Sequence, residues 1–211
     1  HVGTVLKVNA AAYPDKPGWQ DKTQEYSFKA WNERACRVAN GLGALGVGHQ
    51  DSFAMIAYNR GEWMDVYAGC AKGGQIIVPV MFRLLEPDIE FIVEHSECKA
   101  FIVEKPFVAL VEKIRGRLQV PARAYIFVGE GPVPDGYIGY EEWLAASSPQ
   151  EPSTMVDGRD IRTIMYTSGT TGRPKVVVKT HESYMAQYVL SNINMGVLPT
   201  DKAMLVLPMC H

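Results

Sequence analysis

Short apolar runs of strand length alternate with helix-length amphipathic stretches, and that alternation leaves this chain few folds to choose from. Ile76-Ile77-Val78-Pro79-Val80 is β-branched apart from one proline and carries no polar side chain, the pattern of a strand buried on both faces. The runs 52–57, 100–103 and 124–128 have the same texture. Between them apolar residues recur at helical spacing. Ser27 is a good N-cap for a helix whose buried face reads Phe28, Trp31, Ala35, Val38, Ala39, Leu42 and Leu45, closed by glycines 41, 43, 46 and 48. Asn59 is placed to cap a second helix with Trp63, Val66, Tyr67 and Cys70 on one face and Gly73-Gly74 at its end. Further helices are expected from Glu86 to His95, with Pro87 in the first turn, and from Phe107 to Leu118. Strands separated by helices of about ten residues predict an α/β fold with a mostly parallel sheet flanked by helices.

The texture changes after residue 128. From 129 to 160 Gly, Pro, Ser and acidic residues dominate, so this stretch is expected to be an irregular surface connection with one short helix from Tyr140 to Ala145. It would separate a first α/β layer, residues 1–128, from a second unit, residues 161–211. That unit begins with a strand from Ile161 to Tyr166, resumes as a strand at Val176-Val177-Val178, and continues as a helix from His181 to Asn194 and a last strand from Ala203 to Leu207.

Composition excludes several function classes. A net charge of −2 with no basic stripe argues against a nucleic-acid partner. No run approaches the ~18 unbroken apolar residues of a transmembrane segment. Cys36, Cys70, Cys98 and Cys210 are widely spaced, without a C-x-x-C pair or a histidine at metal-ligand spacing. Buried free thiols suit a reducing compartment, which makes a cytoplasmic location the expectation.

Two glycine-rich strings compete for a phosphate-binding role. Gly41-Leu42-Gly43-Ala44-Leu45-Gly46 has the letters of a dinucleotide fingerprint, but a helix precedes it and a strand follows, the reverse of what that fingerprint requires. The other string runs from Thr167 to Lys175. Within nine residues it holds the hydroxyls of Thr167, Ser168, Thr170 and Thr171, with Gly169, Gly172, Arg173, Pro174 and Lys175. Glycine frees backbone N–H groups to converge on phosphate oxygens, hydroxyls add rotatable donors, and a lysine supplies a mobile charge. Each charge-assisted bond contributes roughly 1.5–3 kcal/mol when sheltered. The glycine spacing and the proline before the lysine differ from a P-loop, which disfavours a P-loop NTPase or kinase.

The string 167–175 resembles the phosphate-binding signature of the adenylate-forming superfamily, which includes acyl- and aryl-CoA synthetases, adenylation domains of peptide synthetases and luciferases. Other segments resemble the family in the same order: Tyr26 to Trp31, then Asn59 to Val80 with Glu62-Trp63 and Lys72-Gly73-Gly74. Phe82-Arg83-Leu84 with Glu90 and His95-Ser96 is similar to the acyl-CoA synthetase branch, and Thr180-His181 and Leu207 to His211 match later blocks. Val176 departs from the family, which has glycine after the loop lysine. Met81 stands where acyl-CoA synthetases often carry asparagine.

The resemblance implies that the chain is the N-terminal, ATP-phosphate-binding part of an acyl-CoA synthetase, without its C-terminal domain and inactive alone. The activity it implies is ATP-dependent conversion of a carboxylic acid to an acyl-adenylate, followed by thioester formation with coenzyme A. Thr167, Ser168, Gly169, Thr170, Thr171, Gly172 and Lys175 would hold the β- and γ-phosphates. Mg²⁺ would arrive on the nucleotide, with Thr171 as the candidate protein contact. His211 would line the acyl pocket or gate the thiol. His181 is expected to pack or cap the helix it begins, and His49 and His95 to lie at the surface. The alternative reading is a non-catalytic phosphate- or nucleotide-binding module left by truncation.

Overall fold

In the computed structural model residues 1–167, 175–198 and 200–210 are described. The chain starts with a helix that periodicity does not reveal. Helix α1 (Val2–Ala12) buries only Gly3 and Leu6, too few positions to mark a face. Gly3 lies where a Cβ would come within 2.6 Å of the Ala71 carbonyl oxygen, so the helix rests on backbone rather than on side chains. A two-stranded ribbon follows, β1 (Pro17–Gln20) and β2 (Glu25–Ser27). Ser27 then caps α2 (Phe28–Ala44), its hydroxyl accepting from the Ala30 N–H as expected.

The alternating region forms as read. Strand β3 (Ser52–Ile56), helix α3 (Glu62–Gly73), strand β4 (Ile76–Val80), helix α4 (Glu86–His95) and strand β5 (Phe101–Glu104) come in turn. Every residue of β3 and β4 is buried, as a strand covered on both faces must be. A 3₁₀ turn at Lys105–Phe107 leads into α5 (Val108–Arg115), which stops at Gly116, short of the expected Leu118. Strand β6 (Tyr125–Val128) follows.

The segment 129–160 contributes more than connection. It adds strand β7 (Ile138–Gly139) parallel to β6, and helix α6 (Tyr140–Ala146) buries Tyr140, Trp143 and Leu144. Trp143 packs where Gly41 of α2 leaves no room for a Cβ. Thus part of the failed dinucleotide string is a packing contact. Arg34 links Asp65 and Glu141, and the buried Lys72 pairs with Glu151, so polar side chains staple the stretch to α2 and α3.

Strands β8 (Ile161–Thr167) and β9 (Lys175–Thr180) and helix α7 (His181–Met195) complete the described elements. The sheet order is β7-β6-β5-β3-β4-β8-β9, parallel except for the antiparallel β8–β9 pair. From β3 the chain steps to β4 on one side, then crosses to β5 on the other. Right-handed crossovers therefore set α3 and α4 on opposite faces, with α1 and α2 packed beside α3 and α5 beside α4. Gln50 holds the start of β8. Its amide accepts from Ile161 N at 2.9 Å and donates to the Ile161 carbonyl at 3.0 Å, doing what a neighbouring strand's backbone would do.

Two expectations fail. Residues 203–207 form no strand: Met204 is 84% exposed and Leu207 77%, and no ladder supports them. An apolar run without a partner strand has no backbone bonding to hold it extended. Asn59 does not cap α3, whose N-cap is Gly61 with no side-chain bond. Its amide instead donates to the Leu207 carbonyl and accepts from Met209 N, both at 2.8 Å, and so ties down the segment that the missing strand leaves loose.

Among the described glycines that pack helix against helix, Gly69 is the tightest: a Cβ there would fall 2.5 Å from Val38 Cβ and 2.7 Å from the Ala35 carbonyl oxygen. Gly69→Val is expected to lower the unfolding free energy by about 1–3 kcal/mol in urea titrations. Gly43→Ala, in the same pair of helices but facing open space, is expected to be neutral or to stabilise by up to ~1 kcal/mol. A Gly69→Val protein with an unchanged midpoint would contradict the packing.

Candidate phosphate-binding site

After Arg162, strand β8 runs Thr163-Ile164-Met165-Tyr166 and ends at Thr167. Its antiparallel partner β9 starts at Lys175, directly opposite Thr167, and the Thr167 hydroxyl reaches the Lys175 carbonyl at 3.5 Å. The glycine-threonine loop is therefore spanned by the ends of one strand pair. Ser168, Gly169, Thr170, Thr171 and Gly172 lie outside the described residues, as does His211. Thr167 and Lys175, the two described members of the expected set, are both exposed.

Val176 is a regular strand residue. It pairs with Tyr166 in the β8–β9 ladder and is not among the described residues with positive φ. A position in the β region accepts valine without strain, so the departure from glycine costs nothing in the backbone.

Because β8 runs parallel to β4, its Thr167 end lies at the carboxyl edge of the sheet. The pairing of Ile77 with Thr163 sets Val80 level with Tyr166. The turns leaving β3 and β4, with Asn59-Arg60 and Phe82-Arg83, emerge at the same edge, where open α/β sheets bind their ligands. The arginines differ in availability. Arg60 is held by Glu62 at 2.6 Å and Glu104 at 2.9 Å. Arg83 is exposed, lies over the Phe82 ring and makes no ion pair among the described residues. Lys175 is likewise unpaired among them.

Tyr166 anchors the strand below the loop. Its hydroxyl bonds Ser96 Oγ at 2.6 Å and His95 Nδ1 at 2.8 Å, and its ring meets Phe91 edge-on. His95 thus has a structural partner, while His49 pairs with Asp160 at 2.7 Å. His181 is fully buried at the start of α7, where Thr180 provides the cap and His181 Nδ1 accepts from Val2 N at 3.3 Å. Burial, reinforced by nearby Arg162, pushes its pKa down to about 4. His181 therefore packs, as its sequence context suggested. The thiols are equally unreactive: all four are free and buried, and burial raises Cys36 and Cys98 to about 12. Among the described residues no cluster of His, Cys, Asp and Glu could hold a metal ion. No described helix is long and apolar enough to cross a membrane.

Comparison with known proteins decides the family. The profile of AMP-binding enzymes matches residues 6–211. The chain belongs to the AMP-binding enzyme family. Family members similar to it include the long-chain-fatty-acid–CoA ligase FadD13 of Mycobacterium tuberculosis, 30% identical over 213 residues, and the 2-succinylbenzoate–CoA ligase of Bacillus licheniformis, 31% identical over 209. These matches take in 100% and 98% of this chain but 41% and 40% of those proteins, so the chain spans about two fifths of the curated relatives it matches. Among solved structures, the N-terminal domain of FACL13 from Mycobacterium tuberculosis superposes with a TM-score of 0.83 at 31% identity, over 100% of this chain and 52% of that one. The anthranilate CoA ligase AuaEII, solved with anthranoyl-AMP, gives a TM-score of 0.86 at 27% identity over 92% of this chain and 37% of that one. The family resemblance and the α/β fold read from the sequence both hold, and the chain matches the N-terminal part of adenylate-forming CoA ligases.

The state of His181 predicts a pH dependence. With its native pKa near 4 against an ordinary 6.5, the unfolded chain carries a proton between those values that the native state does not. Stability is then complete above pH 6.5 and declines toward pH 4, by about 1–2 kcal/mol from this group. Urea midpoints measured across that range should fall with pH, and His181→Gln should flatten the decline. A slope unaffected by the substitution would show that His181 is not the source.

Proposed function

We propose that the protein carrying this chain converts a carboxylic acid to an acyl-adenylate with ATP and then transfers the acyl group to coenzyme A. A carboxylate is a poor electrophile. Attack of its oxygen on the α-phosphorus expels pyrophosphate and leaves AMP as a good leaving group. The thiol then forms the new C–S bond, gives up its proton, and AMP departs. In-line attack requires the pyrophosphate to be held and its charge neutralised.

In this reading Thr167, Ser168, Gly169, Thr170, Thr171, Gly172 and Lys175 hold the β- and γ-phosphates, and residues 161–211 are the phosphate-holding unit. Mg²⁺, when bound to the nucleotide, would neutralise phosphate charge, with Thr171 the candidate protein contact. His211 borders the acyl pocket or the thiol's path. The observation that carries the proposal is the Thr167–Lys175 pairing, which brings the two ends of the hydroxyl- and glycine-rich string together at the carboxyl edge of a mostly parallel sheet in a member of this family.

The test is exchange of labelled pyrophosphate into ATP in the presence of a panel of aliphatic and aryl acids. Acid-dependent exchange is expected, and its absence with every acid would sink the reading. Lys175→Ala should cost on the order of 10²-fold in the exchange rate, as loss of one transition-state donor does. Because Lys175 is exposed, the folding midpoint should not move. An unchanged rate would remove Lys175 from the phosphate site.

A further inference from the structure

Residues 207–210 belong to no helix or strand, yet side chains from elsewhere in the fold hold them. The Asn59 amide donates to the Leu207 carbonyl and accepts from Met209 N, both at 2.8 Å. Bonding the residues on either side of one position is what a neighbouring strand does in a parallel ladder. The position between them is Pro208, which has no N–H to leave unpaired. Tyr67, from the middle of α3, donates its phenol proton to the Met209 carbonyl at 2.7 Å. Its ring stacks on Trp63 with centroids 5.4 Å apart, so the hydroxyl reaches out from a fixed base. Burial pushes the Tyr67 pKa far above its ordinary value, which keeps that donor protonated. The Cys210 thiol completes the set, 5% exposed and 3.7 Å from Met81 Sδ just beyond β4.

Asn59 and Met81 lie in the turns leaving β3 and β4, so these contacts stretch residues 207–210 over the carboxyl ends of two adjacent strands. Strand β8, with Thr167 at its end, is the next neighbour of β4. The segment therefore borders the same edge as the Thr167–Lys175 pair, on the side away from β9. Helix α3 takes its N-cap at Gly61, which leaves both polar atoms of the Asn59 amide to this segment.

We propose that Asn59 and Tyr67 are positioning residues, which together hold residues 207–210 as the wall that sets the acid for attack on the α-phosphorus. The inference rests on the adenylation reading given above. A reacting group placed an ångström off its line of attack loses rate steeply. A segment without a ladder of its own keeps its place only where side chains satisfy its backbone groups. Both residues act through the segment and need not touch substrate. Phosphate is held at the Thr167–Lys175 end and is independent of them.

The test uses the intact enzyme and two readouts. The first needs no activity: alkylation of Cys210 by iodoacetamide, followed by mass spectrometry of its peptide. Burial shields this thiol and raises its pKa, so the reaction is slow in the unaltered protein. Asn59→Ala and Tyr67→Phe should each speed it about fivefold or more, as expected for the loss of one or two hydrogen bonds. The second readout is pyrophosphate exchange with the acid of the panel that supports it best. KM for that acid should rise about fivefold or more in both variants while KM for pyrophosphate stays within about twofold. A general loosening of the fold would not give that split. Unchanged Cys210 alkylation, an unchanged acid KM, or an equal rise in both KM values would each overturn the proposal. Lack of exchange in the unaltered enzyme would instead sink the adenylation reading, and this role with it. If Asn59→Ala fails to fold by circular dichroism, Tyr67→Phe decides by the same two readouts.

Discussion

The position of the Thr167–Lys175 strand ends depends on how β8 is docked against the sheet built before it. Strand β8 returns after a long excursion, and its parallel ladder with β4 is short, with Ile77 opposite Thr163. Gln50 makes up for this. Its side-chain amide imitates a strand's peptide group toward Ile161, and its own N–H bonds the Gly74 carbonyl at the end of α3. Gln50 adopts φ 61° and Gly74 φ 72°. Two adjoining left-handed residues, one favoured by glycine and one imposed on a glutamine, let a single side chain link α3 and β8. Farther along the strand, the Tyr166 hydroxyl supplies a second fixed point from α4.

This docking explains why a chain spanning about two fifths of its relatives can still arrange a recognisable site edge. Strands β3 and β4 are buried throughout and act as a rigid platform. Nothing in β8 needs to be rigid by itself. It inherits its register from the platform, and the Thr167–Lys175 pair is then set by the antiparallel ladder.

Much of this was legible in the sequence, for reasons that can be named. Continuous β-branched runs announced β4, and a serine before a helical period announced α2, because each signal is local. The order of glycines, hydroxyls and lysine carried the family resemblance, which the match over residues 6–211 bears out. Other features were not local. Asn59 stands where a cap belongs, yet its partners are at Leu207 and Met209, more than a hundred residues away, and no short-range pattern reveals such a bond. The 203–207 run had the composition of a strand but no neighbour with which to form a ladder. Helix α1 is silent in the sequence because it packs through a glycine, and absence of a side chain leaves no periodic trace. Arg162 is visible as a charge within strand β8, but only the fold reveals that it is buried and that no described carboxylate pairs with it.

Strand β9 is the outermost described strand of the sheet, and Val176, Val177 and Val178 on it are all solvent-exposed. A β-branched run beside unpaired N–H and C=O groups is a template for another chain's strand. Lysines stand at both ends of the run, Lys175 before it and Lys179 after it. Charges in such flanking positions act as gatekeepers, since a second copy pairing in register would bring like charges together. Lys175 and Lys179 therefore guard this edge against recruiting its own kind.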